Sequence, residues 1–293
     1  MILDNQLSIG QLVAAELILS GVFYGISQLG WYVDVFYELV ASSEELSLLF
    51  SIPQEPQAST GRDGARDGSV ALSDVAVDGA RLDFRLASGE QLVTMADPQA
   101  ARLLAQLLKR HIQPERGLVT IGGADLGALD MYLLRSEVMV LDRPTIVEVT
   151  IREYLSLAGA HATPAAVLDV LDAVGLQGRI SALPQGLDTQ LASSGFPLSI
   201  GEVMALKLAN AILVRPKVLV LSQLSDLLAP SCLTAALRML KEDGTTTLVI
   251  TGRPEDITLD GWFWLGATAQ RRCASEAELR LAAVGEGSGA EPA

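Results

Sequence analysis

Two polar residues follow a buried-strand pattern at the point where reactive side chains are often found. The segment KVLVL, residues 217–221, predicts a buried strand, and Ser222 and Gln223 come directly after it. A carboxylate in such a place can hold a metal ion or act as a base. A hydroxyl and an amide only exchange hydrogen bonds near neutral pH. The strand end therefore has the position for hydrolytic chemistry without its acids.

A predicted helix over residues 200–214 precedes this strand and begins in the sequence LSIGE, residues 198–202. Ser199 and Glu202 form a capping-box pattern, in which each side chain bonds the backbone amide of the other residue. Ser199 and Gly201 also stand at a helix N-terminus, which attracts anions. Two interpretations stay open. The serine caps its own helix only, or it also offers donors to an anion bound elsewhere.

Another predicted helix, residues 98–110, has its own start signals in the segment MADPQAARLL. Asp97 stands at the N-cap and Pro98 at the first helical position. The carboxylate fills the end of the helix that would attract an anion, and the segment has no glycine to wrap around a phosphate. Arg102 is expected to be a solvated helix arginine, with contact to an anion as the alternative.

Composition excludes several classes of function. The chain has 293 residues, 49% of them hydrophobic, and a net charge of −14, so it can bury a sizeable core and its field repels nucleic acid. We expect no metal site, because the histidines and cysteines are scattered and form no ligand pattern. These residues are His111, His161, Cys232 and Cys273.

The N-terminal segment predicts a membrane helix. Residues 12–30, LVAAELILSGVFYGISQLG, contain one charge, Glu16, and are long enough to cross a hydrocarbon core. Gly21 and Gly25 share one face and permit close helix contact, while Glu16 in lipid needs a protein partner. The alternative is a buried helix of a soluble protein. A polar linker over residues 53–69 follows.

Alternating strand and helix patterns fill the rest of the chain and predict an α/β domain with a largely parallel central sheet. The last predicted strand is WFWL, residues 262–265. The segment VGEGSGAEPA at the end predicts a frayed tail. The predicted elements are strands 70–77, 81–86, 91–95, 118–121, 217–221 and 246–251, and helices 98–110, 163–174, 200–214 and 230–241.

Ordered segments along most of the chain resemble an ABC transporter of the exporter type. The resemblance implies a P-loop NTPase-like ABC nucleotide-binding domain with a central, mostly parallel sheet, preceded by one long transmembrane α-helix. Residues 1–52 correspond to the last transmembrane helix, extending into the cytoplasm, 53–69 to a linker, 70–266 to a degenerate nucleotide-binding domain and 267–293 to a partly disordered tail. The matching segments are LSIGQLVAAELIL, FYELVASSEEL, SGEQLV, PERGLVTIGGADL, TIREYL, LPQGLDT, LSIGE, VRPKVLVL and TLVITGR.

At the positions where this family has its ATP-binding and ATP-hydrolysing residues, this chain has other residue types. We therefore expect no catalytic residue and no metal ligand in the chain. The segment LSIGE resembles the family's signature element, which implies that Ser199, Gly201 and Glu202 act on ATP held by an opposite subunit. The degenerate positions are Asp97, Ala101 and Arg102 for the phosphate loop, Ser222 for the metal-binding acid, Gln223 for the base, Gly252 for the switch histidine and Arg143 for the glutamine loop.

The resemblance then implies a pseudo-ATPase subunit or fragment of an ABC exporter. Its partners would be a competent nucleotide-binding domain or transporter half and the missing transmembrane helices, with ATP-Mg only at a site shared with that partner. It would lie in a membrane, such as a bacterial inner membrane, with its C-terminal domain in the cytoplasm. The alternatives are a decayed, membrane-anchored structural fragment without a nucleotide role and a divergent active ATPase.

Overall fold

The computed structural model describes residues 8–52, 64–159 and 162–287. The chain divides into two compact units, Met1–Pro56 and Gln57–Ala293. In the described residues the strands are β1 Val70–Val77, β2 Ala80–Leu86, β3 Gln91–Ala96, β4 Arg116–Ile121, β5 Ala124–Asp125, β6 Val138–Leu141, β7 Val218–Leu221, β8 Thr246–Ile250, β9 Gly261–Leu265 and β10 Gln270–Cys273. The α-helices are α1 Ile9–Phe50, α2 Pro98–Leu108, α3 Met131–Glu137, α4 Ile151–Ser156, α5 Pro164–Ala173, α6 Gln177–Ser181, α7 Ile200–Val214, α8 Pro230–Glu242 and α9 Glu276–Gly287.

The first unit is one helix, α1, of 42 residues. A capping box between Ser8 and Gln11 begins it, and no residue of the helix is buried. The predicted span, residues 12–30, lies inside α1. By length and composition this helix is able to cross a membrane, and it is the single helix of that kind in the described residues. Its exposed apolar side chains therefore have no protein cover within those residues.

Two sheets form the second unit. A four-stranded antiparallel sheet has the order β2-β1-β4-β5, and a six-stranded sheet has the order β10-β9-β3-β8-β7-β6. Strands β6, β7, β8, β3 and β9 run parallel, and β10 alone is antiparallel to its neighbour. The predicted parallel centre with an antiparallel beginning is therefore present. Because parallel strands end at the same edge of a sheet, the residues after β3, β6, β7 and β8 face one region.

Helices cover both faces of the six-stranded sheet. Alternate residues of one strand reach opposite cores, as Leu92 packs with α2 and Val93 packs with α7. Helix α7 is apolar almost all round, with ten of its residues buried, which explains its place in the centre of the larger core. The helix ends at Val214, and its C-cap, Arg215, has a left-handed φ of 57° and is followed by Pro216. The core thus fixes α7, and with it the position of Ser199.

The structure differs from the predicted boundaries at both ends of the domain. Ala65, inside the predicted linker, is buried, and its amide donates to Glu137 Oε2 at 2.8 Å. At the other end, β10 and α9 lie within residues 267–293, where a partly disordered tail was predicted, and Leu279 packs in the cluster of Trp264 and Cys273. WFWL is therefore not the last strand. Residues 53–63 and 288–293 lie outside the described residues.

Candidate functional site

The connection between β3 and α2 is a single residue, Asp97. Strand β3 ends at Ala96 and α2 begins at Pro98. Asp97 Oδ1 accepts hydrogen bonds from the amides of Gln99 at 2.8 Å and Ala100 at 3.2 Å. Asp97 and Pro98 thus have the predicted cap geometry. The amides that could bind an anion at this helix end are already bonded by a carboxylate of the same chain.

Arg102 and Ala101, the candidates for the phosphate-loop lysine, both lie on α2. Arg102 Nη2 lies 3.5 Å from Asp78 Oδ2, and both side chains are more than half exposed. Ala101 packs at the border of the core that α2 shares with the antiparallel sheet. An exposed pair at this distance contributes little to stability. Arg102 is therefore a largely exposed helix arginine beside Asp78.

Ser222 and Gln223 lie at the end of β7, and Ser222 is used by the backbone. Its amide donates to Leu141 O at 3.1 Å, and its hydroxyl accepts from the amide of Leu224 at 3.4 Å. Ser222 thereby caps a 3₁₀ turn, Gln223–Leu227. Neither residue carries a group that could act as a base near neutral pH. The described residues contain no cluster of three or more His, Cys, Asp or Glu suited to a metal ion.

Gln223 and Gly252, predicted as separate sites, lie against each other. A Cβ atom on Gly252 would stand 2.6 Å from Gln223 Nε2. Asp226, which no sequence motif marked, lies beside them, and its carboxylate accepts from Thr251 Oγ1 at 2.6 Å and from the Gly252 amide at 2.8 Å. The one acid of the turn is therefore bonded inside the chain. A pairing between two loops has no local sequence signal, which is why the sequence did not reveal it.

The signature-like element begins α7 with a complete capping box. The Ser199 amide donates to Glu202 Oε2 at 2.7 Å, and Ser199 Oγ accepts from the Glu202 amide at 3.3 Å. Burial raises the pKa of Glu202, but the bonds from Ser199 and the nearby Arg179 outweigh it and hold the pKa below its usual value. Gly201 lies against the 3₁₀ turn, since a Cβ there would be 3.2 Å from Leu227 O. Ile200 is 53% exposed.

Arg143, at the glutamine-loop position, follows β6 on the same sheet edge. Lys207 Nζ, on α7, donates to the carbonyl oxygens of Arg143 at 2.7 Å and Thr145 at 3.1 Å. Burial is the main cause that lowers the pKa of Lys207. Beside them, Lys109 Nζ and Asp142 form an ion pair at 2.6 Å. The loop after β6 is thus tied to α7, while the Arg143 side chain is exposed.

The predicted residues form one group at one edge of the sheet. Asp97, Gly252, Ser222 and Arg143 follow the neighbouring strands β3, β8, β7 and β6. The Gly201–Leu227 contact joins the start of α7 to the same group. Chemically, this edge offers hydroxyl, amide and backbone groups, while its carboxylates Asp97 and Asp226 are hydrogen-bonded internally.

No protein-family model matches the chain. It is 26% identical, over 264 residues, to the cyclolysin secretion/processing ATP-binding protein CyaB of Bordetella pertussis, covering 86% of this chain and 37% of that protein. It is 28% identical, over 267 residues, to the ATP-dependent lipid A-core flippase of Burkholderia orbicola, covering 85% of this chain and 44% of the flippase.

The fold has a solved counterpart in a bacterial Atm1-family ABC exporter with ATP bound. The TM-score is 0.76 and the identity 22%, over 98% of this chain and 54% of that structure. The chain thus spans well under half the length of the two curated relatives. The predicted resemblance is confirmed: the homologues are ABC transporter and exporter proteins, and the fold is that of an ABC exporter nucleotide-binding domain with a long apolar helix.

Proposed function

Because the homologues of this chain are ABC exporter proteins, we propose that it is a non-catalytic component of an ABC exporter. It consists of a membrane helix and a degenerate nucleotide-binding domain whose own nucleotide site is inactive. It pairs with a competent nucleotide-binding domain and presents the start of α7, with Ser199 and Gly201, to the ATP of that partner. The helix α1 joins transmembrane helices that the partner supplies.

The observation that carries this proposal is the one-residue connection between β3 and α2. A phosphate-binding loop surrounds its anion with several backbone amides and adds a lysine. Here Asp97 alone stands between strand and helix, and its carboxylate bonds the amides of Gln99 and Ala100. An incoming phosphate would meet a negative charge and too little chain to wrap around it.

The end of β7 supports the same interpretation. Phosphoryl transfer needs an acid that holds Mg²⁺ and a residue that orients or activates water. Ser222 and Gln223 stand there, and Ser222 caps the following turn. The residues present therefore do not fit MgATP held by this chain alone. At the start of α7, by contrast, the helix N-terminus and a serine are retained, and such a terminus favours anions.

Nucleotide measurements on the full chain, purified in detergent, test this proposal. We expect no hydrolysis above background and no saturable binding of MgATP at micromolar concentrations. Asp97→Ala should not create binding, because the loop is still missing, and Asp130→Ala is the matched control. Asp130 caps α3 with the same geometry, accepting from the amides of Tyr132 at 2.9 Å and Leu133 at 3.1 Å.

The second experiment places acids at the two positions after β7, residues 222 and 223. The double variant Ser222→Asp, Gln223→Glu should also stay inactive, because it leaves the connection at Asp97 unchanged. Micromolar ATP binding that is lost in Arg102→Ala would contradict the proposal and favour a divergent active ATPase. If a competent partner neither binds the chain nor changes its own turnover, the chain is a membrane-anchored structural fragment.

A further inference from the structure

We propose that Asp226 is a positioning residue that ties the loop after β8 to the turn before α8, and that this tie holds the start of α7 in its partner-binding conformation without nucleotide. The inference rests on the proposed function, since it concerns the face offered to the partner domain. We call Gln223, Asp226, Thr251 and Gly252 the latch. Each of its contacts is made by groups of this chain.

The carboxylate of Asp226 bridges two consecutive residues after β8. Oδ1 accepts from the hydroxyl of Thr251 at 2.6 Å, and Oδ2 accepts from the amide of Gly252 at 2.8 Å. Thr251 is 3% exposed, and its hydroxyl oxygen also accepts from the amide of Arg253 at 2.9 Å. Hydrogen bonds to a carboxylate are shorter and stronger than neutral ones. The loop after β8 is therefore fixed at three consecutive residues.

The turn that carries Asp226 is itself rigid. Ser225 is 2% exposed, and its hydroxyl donates to Ser222 O at 2.9 Å. The hydroxyl of Ser222 accepts from the amide of Leu224, as described above. Since Ser222 follows the buried strand β7 directly, the turn is anchored in the core of the sheet. The position of Asp226 is thus set by its connection to β7.

The same turn contacts the first turn of α7. A Cβ on Gly201 would lie 3.2 Å from Leu227 O and 3.6 Å from Leu227 Cβ. Ile200, beside Ser199, and Leu227 are 53% and 54% exposed, so apolar surface borders the capped serine. The end of β8, the turn and the start of α7 therefore form one connected unit. This unit therefore holds Ser199 in the conformation that the partner binds, whether or not nucleotide is bound.

The test compares Asp226→Ala and Asp226→Asn with Asp125→Ala in the full chain in detergent. Asparagine keeps one acceptor and the size of the side chain, whereas alanine removes both bonds. Asp125 is the control, because its carboxylate accepts from the nearby amide of Gly127 at 2.8 Å and lies outside the latch. Hydrogen exchange is followed in peptides that cover the turn, the loop after β8 and the start of α7.

Asp226→Ala should speed exchange at least about tenfold in all three segments, because it removes two hydrogen bonds to a charged group and the loss of one already has an effect of that size. Asp226→Asn should give a smaller change and Asp125→Ala none there. Faster exchange in the turn and loop alone, with α7 unchanged, would overturn the inference. So would equal effects of the alanine and the control variants.

Association with a competent ABC exporter half, measured with and without MgATP, gives a separate readout. The wild-type chain should bind in both conditions, more tightly with MgATP because Ser199 then contacts the nucleotide, and Asp226→Ala should bind about tenfold more weakly when nucleotide is absent. Binding of the wild-type chain that requires MgATP would overturn the latch. If no partner binds at all, the proposed function fails, and the exchange data still decide whether Asp226 positions α7.

Discussion

The side-chain amide of Gln223 occupies the space next to Gly252 in which any other residue would carry its Cβ atom. That atom would lie 2.6 Å from Gln223 Nε2 and 3.5 Å from Asp226 Oδ2. Real Cβ atoms do not approach a nitrogen so closely. The Gln223 amide can therefore take this position only because residue 252 is a glycine. The two residues stand where the family resemblance implies a base and a switch histidine.

Gly252→Ala should destabilise the protein only modestly, by about 0.5–1 kcal/mol, because both residues are exposed and the flexible end of Gln223 can turn to another rotamer. Gln223→Ala removes the amide, so the double variant should be more stable than the sum of the single variants predicts, by about 0.5–1 kcal/mol. Thermal unfolding in detergent measures how far each single variant and the double variant differ in stability from the wild-type chain. Gly178→Ala, which meets no atom within 4 Å and lies in α6, is the control and should not destabilise the protein, because alanine favours a helix over glycine. Additive effects would show that the two positions are independent.

Local patterns were sufficient for several features of this region. Asp97 and Pro98 have the short-range signature of a helix start, and Ser199 with Glu202 has that of a capping box, so both caps were predictable from a few neighbouring residues. The apolar run before Ser222 marks a buried parallel strand for the same reason. Each of these signals depends on residues within four positions of one another.

Features that depend on distant residues were not predictable. Asp226 meets Thr251 across two strands, and no periodic pattern links them. Strand β10 was missed because QRRC is polar, and its place comes from pairing with β9 and from the burial of Cys273. The helices α3, α4 and α6 have five to seven residues, too few to show a helical period.

The salt bridge between Glu90 and Arg272 predicts a pH dependence of stability. Arg272 Nη2 donates to Glu90 Oε2 at 2.8 Å, and this guanidinium is the main cause that lowers the pKa of Glu90 below 4.5. Because the folded pKa lies below the unfolded one, the stabilisation is present above pH 4.5 and is lost as the pH falls through the folded value. Arg272 is half exposed, so water weakens the pair.

Glu90→Gln should lower the melting temperature near pH 7 by about 2–4 °C, and the difference from the wild-type chain should shrink as the pH falls through the lowered folded pKa of Glu90. Fluorescence of Trp262 and Trp264 on β9, the strand paired with β10, follows the unfolding. Glu242→Gln is the control, because Glu242 is exposed and forms no ion pair with the described residues. A difference that stays constant as the pH is lowered from 7 until the wild-type chain unfolds would show that the loss is not electrostatic.

The helix α1 should behave as a membrane span. Its apolar side chains are exposed along its whole length, and Leu19 and Val22 lie near the centre of the predicted span. Leu19→Lys with Val22→Lys should reduce membrane integration, since each lysine costs about 2.5–3.5 kcal/mol at the centre of a span. Membrane integration is measured as the fraction of the full-length chain that still sediments with membranes after carbonate extraction. Ser43→Lys, outside the span, should have no effect, and a detergent-free, monodisperse wild-type monomer would contradict the prediction.

Deleting residues 1–52 should improve the solubility of the remaining chain, because it removes the exposed apolar helix. The second unit carries its own buried core clusters, so the deletion leaves its packing unchanged. Gel filtration and circular dichroism compare the shortened chain with the full chain in detergent. Aggregation of the shortened chain would show that the domain needs α1 for more than anchoring.

Ser199 should affect the ATPase activity of a competent partner if the start of α7 reaches that partner's ATP. Ser199→Ala removes a donor and also the helix cap, which costs about 1 kcal/mol of stability. Ser199→Asp keeps the cap and places a carboxylate where the phosphate would lie, so it separates the two roles. The expected loss is roughly ten- to a hundredfold in partner turnover, because hydrogen bonds to a charged group are worth about 1.5–3 kcal/mol.

The chain offers a matched control in Thr150, which begins α4 with the same capping box. Its hydroxyl accepts from the Glu153 amide at 3.2 Å, and its own amide donates to Glu153 Oε2 at 2.8 Å. Thr150→Asp should leave partner turnover unchanged, because the cap is kept and no anion is expected there. Gly201→Asp is a poor substitute, since its Cβ would press on Leu227 O at 3.2 Å and disturb the turn. If Ser199→Asp leaves partner turnover as high as Thr150→Asp does, Ser199 only caps its own helix and the structural-fragment hypothesis becomes the better account.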